Sequence, residues 1–221
     1  MTFQRARSEE QREVRRRAIL DTAATMLDEM PVAGVSLNEL SRRVGLAKSN
    51  VLRYFESREA VLLDLLDDFL ADWLADLADE LAADVEPDAA PEVRARQLAD
   101  VLSRSLAART ALCDLFGAQG GVLEHNVSVD VVKRHKRTSL ALLETMSDLV
   151  RRHVPELGDG AQLFCLTTLV SAGALSTYAP PPPSVLAAYA DEPALAVLHL
   201  DPQDALRVVL TSALLGALPR E

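Results

Sequence analysis

The chain has 221 residues, of which 49% are apolar and only 4% aromatic, and its net charge is −10. This length can bury a substantial core, and a composition poor in aromatic residues favours helices over a sheet. An acidic chain is not expected to bind nucleic acid over its whole surface, but the charge is uneven. Residues 1–58 carry 11 Lys and Arg against 8 Asp and Glu, whereas residues 59–221 carry 12 against 25. The basic N-terminal end is therefore the part that could neutralise phosphates.

The first 30 residues predict a flexible arm, residues 1–13, that grades into an amphipathic helix. The helix has apolar residues spaced by three and four, ends near Met30, and is broken by Pro31 and Gly34. Arginines are concentrated at its start. These arginines could contact phosphates or an adjacent minor groove of DNA, or they could form a solvated basic tail, and both alternatives stay open. The arginines are Arg5, Arg7, Arg12, Arg15, Arg16 and Arg17.

The stretch from Val35 to Glu59 predicts two short helices joined by a glycine turn. Ser36 is a suitable N-cap, and Glu39 three residues later predicts a reciprocal capping box. Gly45 follows the first helix where a left-handed C-terminal residue is needed. Ser57 is then expected to cap a long helix.

The second short helix is predicted from about Lys48 to Tyr54. Val51 and Phe55 point inward, which leaves a polar and basic outer face. A helix, a turn and a second helix with such a face form the helix-turn-helix arrangement, whose second helix enters the major groove of DNA.

These residues resemble the DNA-binding domain of TetR-type transcriptional repressors. The resemblance covers about Arg15 to Leu66 and departs from the family pattern at three positions. Asn50 stands where a small hydroxyl residue is frequent. Ala47 stands where a serine cap is common. Leu52 stands where tyrosine is common, which removes one usual contact to a phosphate. The matching run is Gly34, Ser36, Leu40, Gly45, Leu46, Val51, Tyr54, Phe55, Ser57, Arg58 and Glu59.

The resemblance and the outward face together predict a set of DNA-contacting side chains. Lys48 and Asn50 are expected at base edges, since Asn can bind adenine with two hydrogen bonds. Ser36, Tyr54 and Arg58 are expected at phosphates, which set the register. The full predicted set is Ser36, Lys48, Ser49, Asn50, Arg53, Tyr54 and Arg58.

A fourth helix is predicted from Ser57 to about Ala83, with an apolar stripe on one side. Its aspartates are expected on the opposite, solvent-facing side, at Asp64, Asp68, Asp72, Asp76 and Asp79. The resemblance implies that this helix carries a ligand signal to the DNA-binding end. The predicted organisation is a helix-turn-helix domain, residues 1–60, and a helical effector-binding and dimerisation domain, residues 61–221.

In the second domain the sequence predicts helices from Pro91 to Thr110, from Ala111 to Phe116 and from Ser128 to Val154. A glycine-rich turn, Gly117 to Gly121, separates the last two. The stripe of the third is Val132, Leu140, Leu143, Met146 and Val150. Its exposed side is predicted to carry Lys133, Arg134, His135, Lys136 and Arg137. This basic run fits a solvated face or a partner for the acidic helix better than a DNA contact, and all four histidines are expected at the surface.

A helix is predicted from about Asp159 to Ala179, and no charged residue occurs from Gly160 to Ala190. Its apolar part is shorter than the about 20 residues a membrane span needs, so it is predicted to be buried in protein. A last helix begins near Asp201, with Pro202 at a position that proline tolerates. Two late apolar helices, as in the family, predict a homodimer through a four-helix interface.

No catalytic constellation, metal-ligand spacing or phosphate-binding glycine loop appears, so we expect no enzyme, no metal and no cofactor. Cys113 and Cys165 lack redox spacing and are predicted to be buried thiols. An effector pocket is expected between helices of the second domain, and its predominantly apolar lining suits an apolar molecule. The predicted lining residues are Leu102, Leu112, Phe116, Leu143, Met146, Phe164 and Thr168.

The sequence thus predicts an all-α, cytoplasmic, homodimeric repressor of TetR type. Its expected partners are double-stranded DNA with a palindromic operator and a small-molecule effector, without a membrane. The alternative is a helical ligand-binding or adaptor protein whose N-terminal end binds protein instead of DNA. Salt-dependent affinity for duplex DNA distinguishes the two.

Overall fold

The structure, a computed structural model, describes residues 2–219, and side chains from residue 9 onward. Within this range the chain forms ten α-helices and no β-strand, which confirms the predicted all-α class. The helices are α1 (Thr2–Glu29), α2 (Leu37–Val44), α3 (Lys48–Val51), α4 (Arg58–Asp84), α5 (Pro91–Ala107), α6 (Thr110–Ala118), α7 (Val129–His153), α8 (Gly160–Ser176), α9 (Pro183–Asp191) and α10 (Pro202–Ala217).

The chain divides into two compact units. The head unit comprises residues 1–69 and 118–138, and the body unit comprises residues 70–117 and 139–221. The sequence did not indicate that residues 118–138 would pack with the N-terminal end. The boundary predicted after residue 60 stays a prediction.

Helix α1 packs against α2 in the head unit. Of the apolar stripe predicted from its spacing, Leu20, Ala23 and Leu27 are buried and Met30 is half-buried. Ile19 and Met26 are buried as well, which the spacing did not predict. The backbone is helical from Thr2 onward, so the flexible arm predicted for residues 1–13 is wrong over the described part. The side chains of Arg5 and Arg7 lie outside the described residues.

The end of α3 and the segment after α6 differ from their predictions. The α3 helix ends at Val51, three residues earlier than predicted, and continues as hydrogen-bonded turns to Phe55. After α6 the chain forms a π-helical segment, Gln119–Leu123, where the sequence predicted a glycine turn. The glycines there permit either conformation, so composition alone did not distinguish them.

Helix α4 buries the predicted apolar stripe, including Leu62, Leu66 and Trp73. The prediction that all its aspartates face solvent is wrong, because Asp64 is buried at 9% exposure. Periodicity missed this because Asp64 lies inside a run of apolar residues, Ala60 to Leu66, that is buried on every side. Its charge is compensated by residues distant in sequence.

In the body unit, α10 packs against α5 and α8. Its buried residues are Leu206, Leu210 and Leu214. The Asp201 carboxylate caps this helix by accepting from the backbone N–H of Asp204 at 2.8 Å, and proline follows at the predicted first helical position.

The two cysteines are buried free thiols, as predicted. Burial raises the pKa of Cys113 to about 12 and the pKa of Cys165 to about 11. Both thiols are therefore protonated at neutral pH and unsuited to nucleophilic or redox chemistry.

Helix α8 is not buried on most sides in the single chain, and that prediction is wrong. Leu163, Leu166 and Val170 are 66%, 48% and 63% exposed, and their spacing of three and four places them on one face. The opposite face carries Phe164, Cys165 and other buried residues. In α7, Leu140 of the predicted stripe is also exposed.

The small residues of α8 allow a close contact with α6 inside the body unit. A Cβ added to Gly173 would lie 2.7 Å from the backbone nitrogen of Gly117 and 2.8 Å from Phe116. These distances leave no room for any side chain at residue 173. Within the described part of the chain, no helix is both long and apolar enough to cross a membrane.

Candidate nucleic-acid interface

The helix-turn-helix unit is formed by α2, α3 and the turn between them. Ser36 caps α2, because its side-chain oxygen accepts from the backbone N–H of Glu39 at 3.2 Å. Gly45 ends α2 with φ 70° and ψ 27°, the left-handed conformation that glycine adopts without a Cβ penalty. The N–H of Leu46 then donates to the carbonyl of Ser41 at 3.0 Å, which fixes the direction in which the chain enters α3.

The predicted capping box is only half formed. Glu39 does not reach back to the N-cap, because its carboxylate accepts from Arg42 and Arg43 at distances between 2.6 and 2.9 Å. Hydrogen bonds from Arg42 and then Arg43 lower the pKa of Glu39 to about 2 from an ordinary value of 4.5. Arg43 also pairs with Glu29 of α1 at 2.6 Å. These cations thus hold α2 to itself and to α1.

Helix α3 is oriented by two buried side chains, Val51 at 0% and Phe55 at 3% exposure. The opposite face is exposed at Lys48, Ser49 and Asn50. In the turns that follow, Arg53 is exposed and Tyr54 is half-buried. The structure therefore brings five of the seven predicted DNA-contacting residues onto or beside one short helix.

The remaining two predicted residues are already engaged in the protein. Ser36 caps α2 through its oxygen, which leaves its hydroxyl hydrogen available to a phosphate. Arg58 donates to the carbonyl of Val35 at 2.9 Å and pairs with Glu59 at 3.1 Å. Its guanidinium thus joins the start of α4 to the residue before the α2 cap, and DNA contact by either residue stays a prediction.

Lys48 and Arg53 differ from the other cations of this unit. Among the described residues, neither has a hydrogen-bond or ion-pair partner, whereas Arg42, Arg43 and Arg58 all do. A cation without a partner inside the protein loses no ion pair when it binds a phosphate or a base edge. These two side chains are therefore the ones best prepared for DNA.

A groove of about 520 Å³ lies beside α3 in the head unit. It is lined by residues of α1, of α4, of the turns after α3 and of the start of α7, including Leu52, Arg53 and Val131. Asp64 lies in this lining and pairs with Arg16, and at 3.4 Å with Arg134. Burial raises the pKa of Asp64, an effect that the neighbouring charges of Arg16 and Arg134 oppose.

His135 was predicted at the surface, and this is wrong because it is only 2% exposed. Its Nδ1 lies 2.8 Å from a carboxylate oxygen of Asp67, and its Nε2 lies 3.0 Å from the amide nitrogen of Gln119. Burial raises the pKa of Asp67, and the hydrogen bond with His135 opposes this. The sequence places His135 within a basic run, which gave no indication of these distant partners.

The predicted pairing of the α7 basic run with the acidic helix is found for Arg134, whereas Lys136 pairs with a glutamate outside that helix. Arg134 pairs with Asp64 of α4, and Lys136 pairs with Glu124 at 2.5 Å. Lys133 and Arg137 remain exposed. In the described part of the chain, no group of three or more His, Cys, Asp and Glu side chains is arranged to hold a metal ion.

The predicted effector-pocket residues all belong to the body unit. Five of them are buried, and Phe116 and Leu143 are half-buried. The Thr168 hydroxyl donates to the carbonyl of Phe164 at 2.8 Å, so its hydrogen already has an acceptor. The buried members are Leu102, Leu112, Met146, Phe164 and Thr168. Their role as a ligand lining stays a prediction.

Protein-family models match both the N-terminal and the C-terminal part of the chain. Residues 19–65 match the family model described as bacterial regulatory proteins, tetR family. Residues 67–221 match the tetracyclin repressor-like C-terminal domain. Among curated proteins, the HTH-type transcriptional regulator EthR of Mycobacterium tuberculosis and of Mycobacterium bovis is 44% identical over 50 residues. The match covers 23% of this chain and 23% of the length of those relatives.

Solved structures share the fold at low sequence identity. A TetR-family regulator from Rhodococcus sp. aligns with a TM-score of 0.53 at 15% identity, over 93% of this chain and 98% of that one. A TetR/AcrR-family regulator from Thermobifida fusca aligns with a TM-score of 0.50 at 20% identity, over 93% and 99%. With family models matching residues 19–65 and 67–221, the chain belongs to the TetR family of DNA-binding transcriptional regulators.

Proposed function

We propose that this regulator is a homodimeric repressor that binds a palindromic operator in the cytoplasm and leaves it when a small, largely apolar effector binds. The observation that carries the proposal is the outer face of α3. It is polar, exposed, and carries Lys48 and Arg53, two cations without partners among the described residues. A face of this kind suits phosphate contacts together with base contacts in a major groove.

The apolar faces of α8 and α10 support a dimer. Leu163, Leu166 and Val170 of α8 are exposed, and so are Val208 and Val209 of α10. The two helices pack against each other in the body unit. The same two helices of a second copy would cover these side chains in an isologous contact, and two heads would then read two half-sites.

The predicted pocket residues support an apolar effector. Six of the seven are Leu, Met or Phe, and the hydroxyl hydrogen of the remaining one, Thr168, is already donated within α8. Binding in the body unit would favour a conformer whose heads no longer match the half-sites. By linkage, DNA would weaken effector binding by the same factor.

The salt dependence of duplex binding tests DNA recognition and separates it from protein docking. A protein that neutralises phosphates releases counterions, so its affinity for a duplex falls steeply as salt is added. Because the dimer carries two copies of Lys48, we expect Lys48→Gln to reduce the slope of log affinity against log salt by about 1.8, which is about 0.9 for each cation removed. The matched control is Lys133→Gln, which removes another exposed lysine of the head unit and should leave the slope unchanged.

Three outcomes of this titration differ in meaning. A slope lowered by Lys48→Gln alone supports α3 as the DNA-binding helix. A slope lowered by Lys133→Gln alone would move the phosphate contacts to α7 and contradict the proposed interface. Absence of salt-dependent duplex binding would favour the adaptor function, in which the α3 face binds protein.

A further inference from the structure

Leu52 stands out on the polar side of the helix-turn-helix unit. Its side chain is 41% exposed, and no other large apolar side chain between residues 31 and 69, all of them described, is exposed to a comparable degree. A single exposed leucine on a protein surface needs no special explanation. What makes this one informative is its place next to the residues expected to read DNA.

Leu52 lies one helical turn after Lys48 and on the same face. The backbone N–H of Leu52 donates to the carbonyl of Lys48 at 3.0 Å, and its φ and ψ, −64° and −9°, continue the right-handed path. Residues four apart in such a turn lie above one another on one face. At about 100° per residue, Leu52 lies at the flank of the buried side marked by Val51 and Phe55, next to Lys48 and between that side and Arg53.

The side chain is also partly held in place. Leu52 contributes to the lining of the groove that contains Phe55, Ala60 and Val131. One flank thus meets protein while the other remains open to solvent. A partly anchored aliphatic group loses less conformational freedom on binding than a fully free one.

Leucine has no hydrogen-bonding group, so it can neither donate to a phosphate nor pair with a polar base edge. In the major groove the distinctive apolar feature of a base edge is the C5-methyl group of thymine, which apolar side chains contact. We propose that Leu52 is a specificity-determining residue that contacts a thymine methyl group in the operator. This inference rests on the proposed function, since it requires α3 to enter a major groove.

The register places this thymine near the base read by Lys48. Four residues of helix rise about 6 Å, which is less than two base-pair steps of about 3.4 Å each. The thymine is therefore expected within two base pairs of the position at which Lys48→Gln relaxes selectivity.

Removal of a single methyl group from the DNA tests the contact directly. The full-length protein is titrated with its selected operator and with operators in which one thymine at a time is replaced by uracil, which lacks only that methyl. For wild type we expect about fourfold weaker binding at one thymine in each half-site, the factor for losing one buried methylene-sized group. Leu52→Ala should bind thymine and uracil operators equally at that position.

A matched variant controls for loss of any exposed aliphatic side chain. Val14 of α1 is 65% exposed, and Val14→Ala should retain the fourfold preference for thymine. A cooperative unfolding transition in each of the three proteins would show that Leu52→Ala is folded. Because Leu52 is 41% exposed, we expect its truncation to lower the unfolding midpoint only slightly.

The outcomes separate this inference from the proposed function. Failure of wild type to bind any duplex contradicts the proposed function itself. Sequence-specific binding that is indifferent to uracil at every thymine, or an operator without thymine in the expected positions, overturns the Leu52 contact alone. Undiminished thymine preference in Leu52→Ala would overturn it as well.

Discussion

The cations of the helix-turn-helix region and the start of α4 divide into a structural group and a group available to a partner. Arg42 and Arg43 are held by Glu39, and Arg58 joins α4 to Val35. Lys48 and Arg53 have no such partners in the described structure. The first group fixes the angle between the helices, and the second lies on the face that this angle presents.

Glu39 makes a pH-dependent contribution to the stability of this frame. Its pKa is lowered to about 2 by hydrogen bonds from Arg42 and Arg43. A carboxylate of this kind stabilises the folded state above its unfolded pKa, and the contribution is lost as the pH falls toward the folded pKa. We expect Glu39→Gln to be less stable than wild type at neutral pH, and the difference to shrink below about pH 4.5 in urea unfolding.

The control for this measurement is Glu10→Gln, which removes an exposed carboxylate of α1. The Glu10 variant should show no such pH-dependent difference from wild type. A difference for Glu39→Gln that is the same at all pH values would mean that the lost contact is not the ionised pair.

Asn50 is the second residue expected at a base edge. Asn50→Ala should lose discrimination at one base position of the operator, at a cost of about 1–3 kcal/mol, because a bidentate contact to adenine is removed. The measurement is binding to operators that differ at that single position. Asn38→Ala removes an exposed asparagine of α2 and serves as the control. Unchanged specificity in Asn50→Ala would exclude Asn50 from base recognition.

At the scale of helices, the sequence predicted the caps correctly, because each cap depends only on residues close to it in the chain. The predicted caps Ser36 and Ser57 each accept the expected hydrogen bond from a backbone N–H three residues later. The second hydrogen bond of the capping box, from the backbone N–H of Ser36 to the Glu39 carboxylate, was predicted but does not form. Arg42 and Arg43, three and four residues further along, bind that carboxylate instead.

Non-local partners explain most of what the sequence did not predict. Asp64 and His135 are polar, so periodicity assigned both to the surface. Both residues can be buried because they have partners. Arg16 and Arg134 compensate the charge of Asp64, and Asp67 and Gln119 lie within hydrogen-bond distance of the ring nitrogens of His135. A polar residue flanked by apolar ones on both sides, as Asp64 is, was the available signal. The DNA-facing residues were predictable because a solvent-exposed face needs no long-range partner.

The contact between α6 and α8 makes a prediction about packing. Gly173→Ala should destabilise the protein by about 1–3 kcal/mol, since its Cβ would overlap the backbone of Gly117. Gly160→Ala in the same helix meets nothing within 4 Å and should be neutral or slightly stabilising. Thermal or urea unfolding measures both. Equal stability of Gly173→Ala and wild type would show that the helices separate without cost.

For the whole molecule, the negative charge is concentrated in the body unit, which carries 19 Asp and Glu against 8 Lys and Arg, whereas the head unit carries 14 against 15. Residues 118–138 contribute four Lys and Arg against two Asp and Glu, and they belong to the head unit together with α1 to α3. The body unit carries most of the negative charge. The exposed α3 face of the head unit can bind DNA despite a net charge of −10, because salt screens charges separated by more than about 10 Å.

The exposed apolar faces of the body unit predict the oligomeric state. Leu163→Arg places a charge in the exposed apolar stripe of α8 and should shift the protein from dimer to monomer, because burying an unpaired charge is costly. Leu140→Arg is the control, since Leu140 is 51% exposed on α7. Sedimentation equilibrium measures both variants. A Leu163→Arg protein that remains dimeric would place the interface elsewhere.

The most direct test of the account is selection of binding sites from a pool of random duplexes by the purified full-length protein, followed by sequencing. We expect an enriched palindrome with two equivalent half-sites, and relaxed selectivity at one position per half-site for Lys48→Gln and at another for Asn50→Ala. Selection repeated with the Leu163→Arg variant should recover single half-sites at much lower affinity. If no sequence is enriched at low salt, the account of this protein as a dimeric reader of DNA is contradicted.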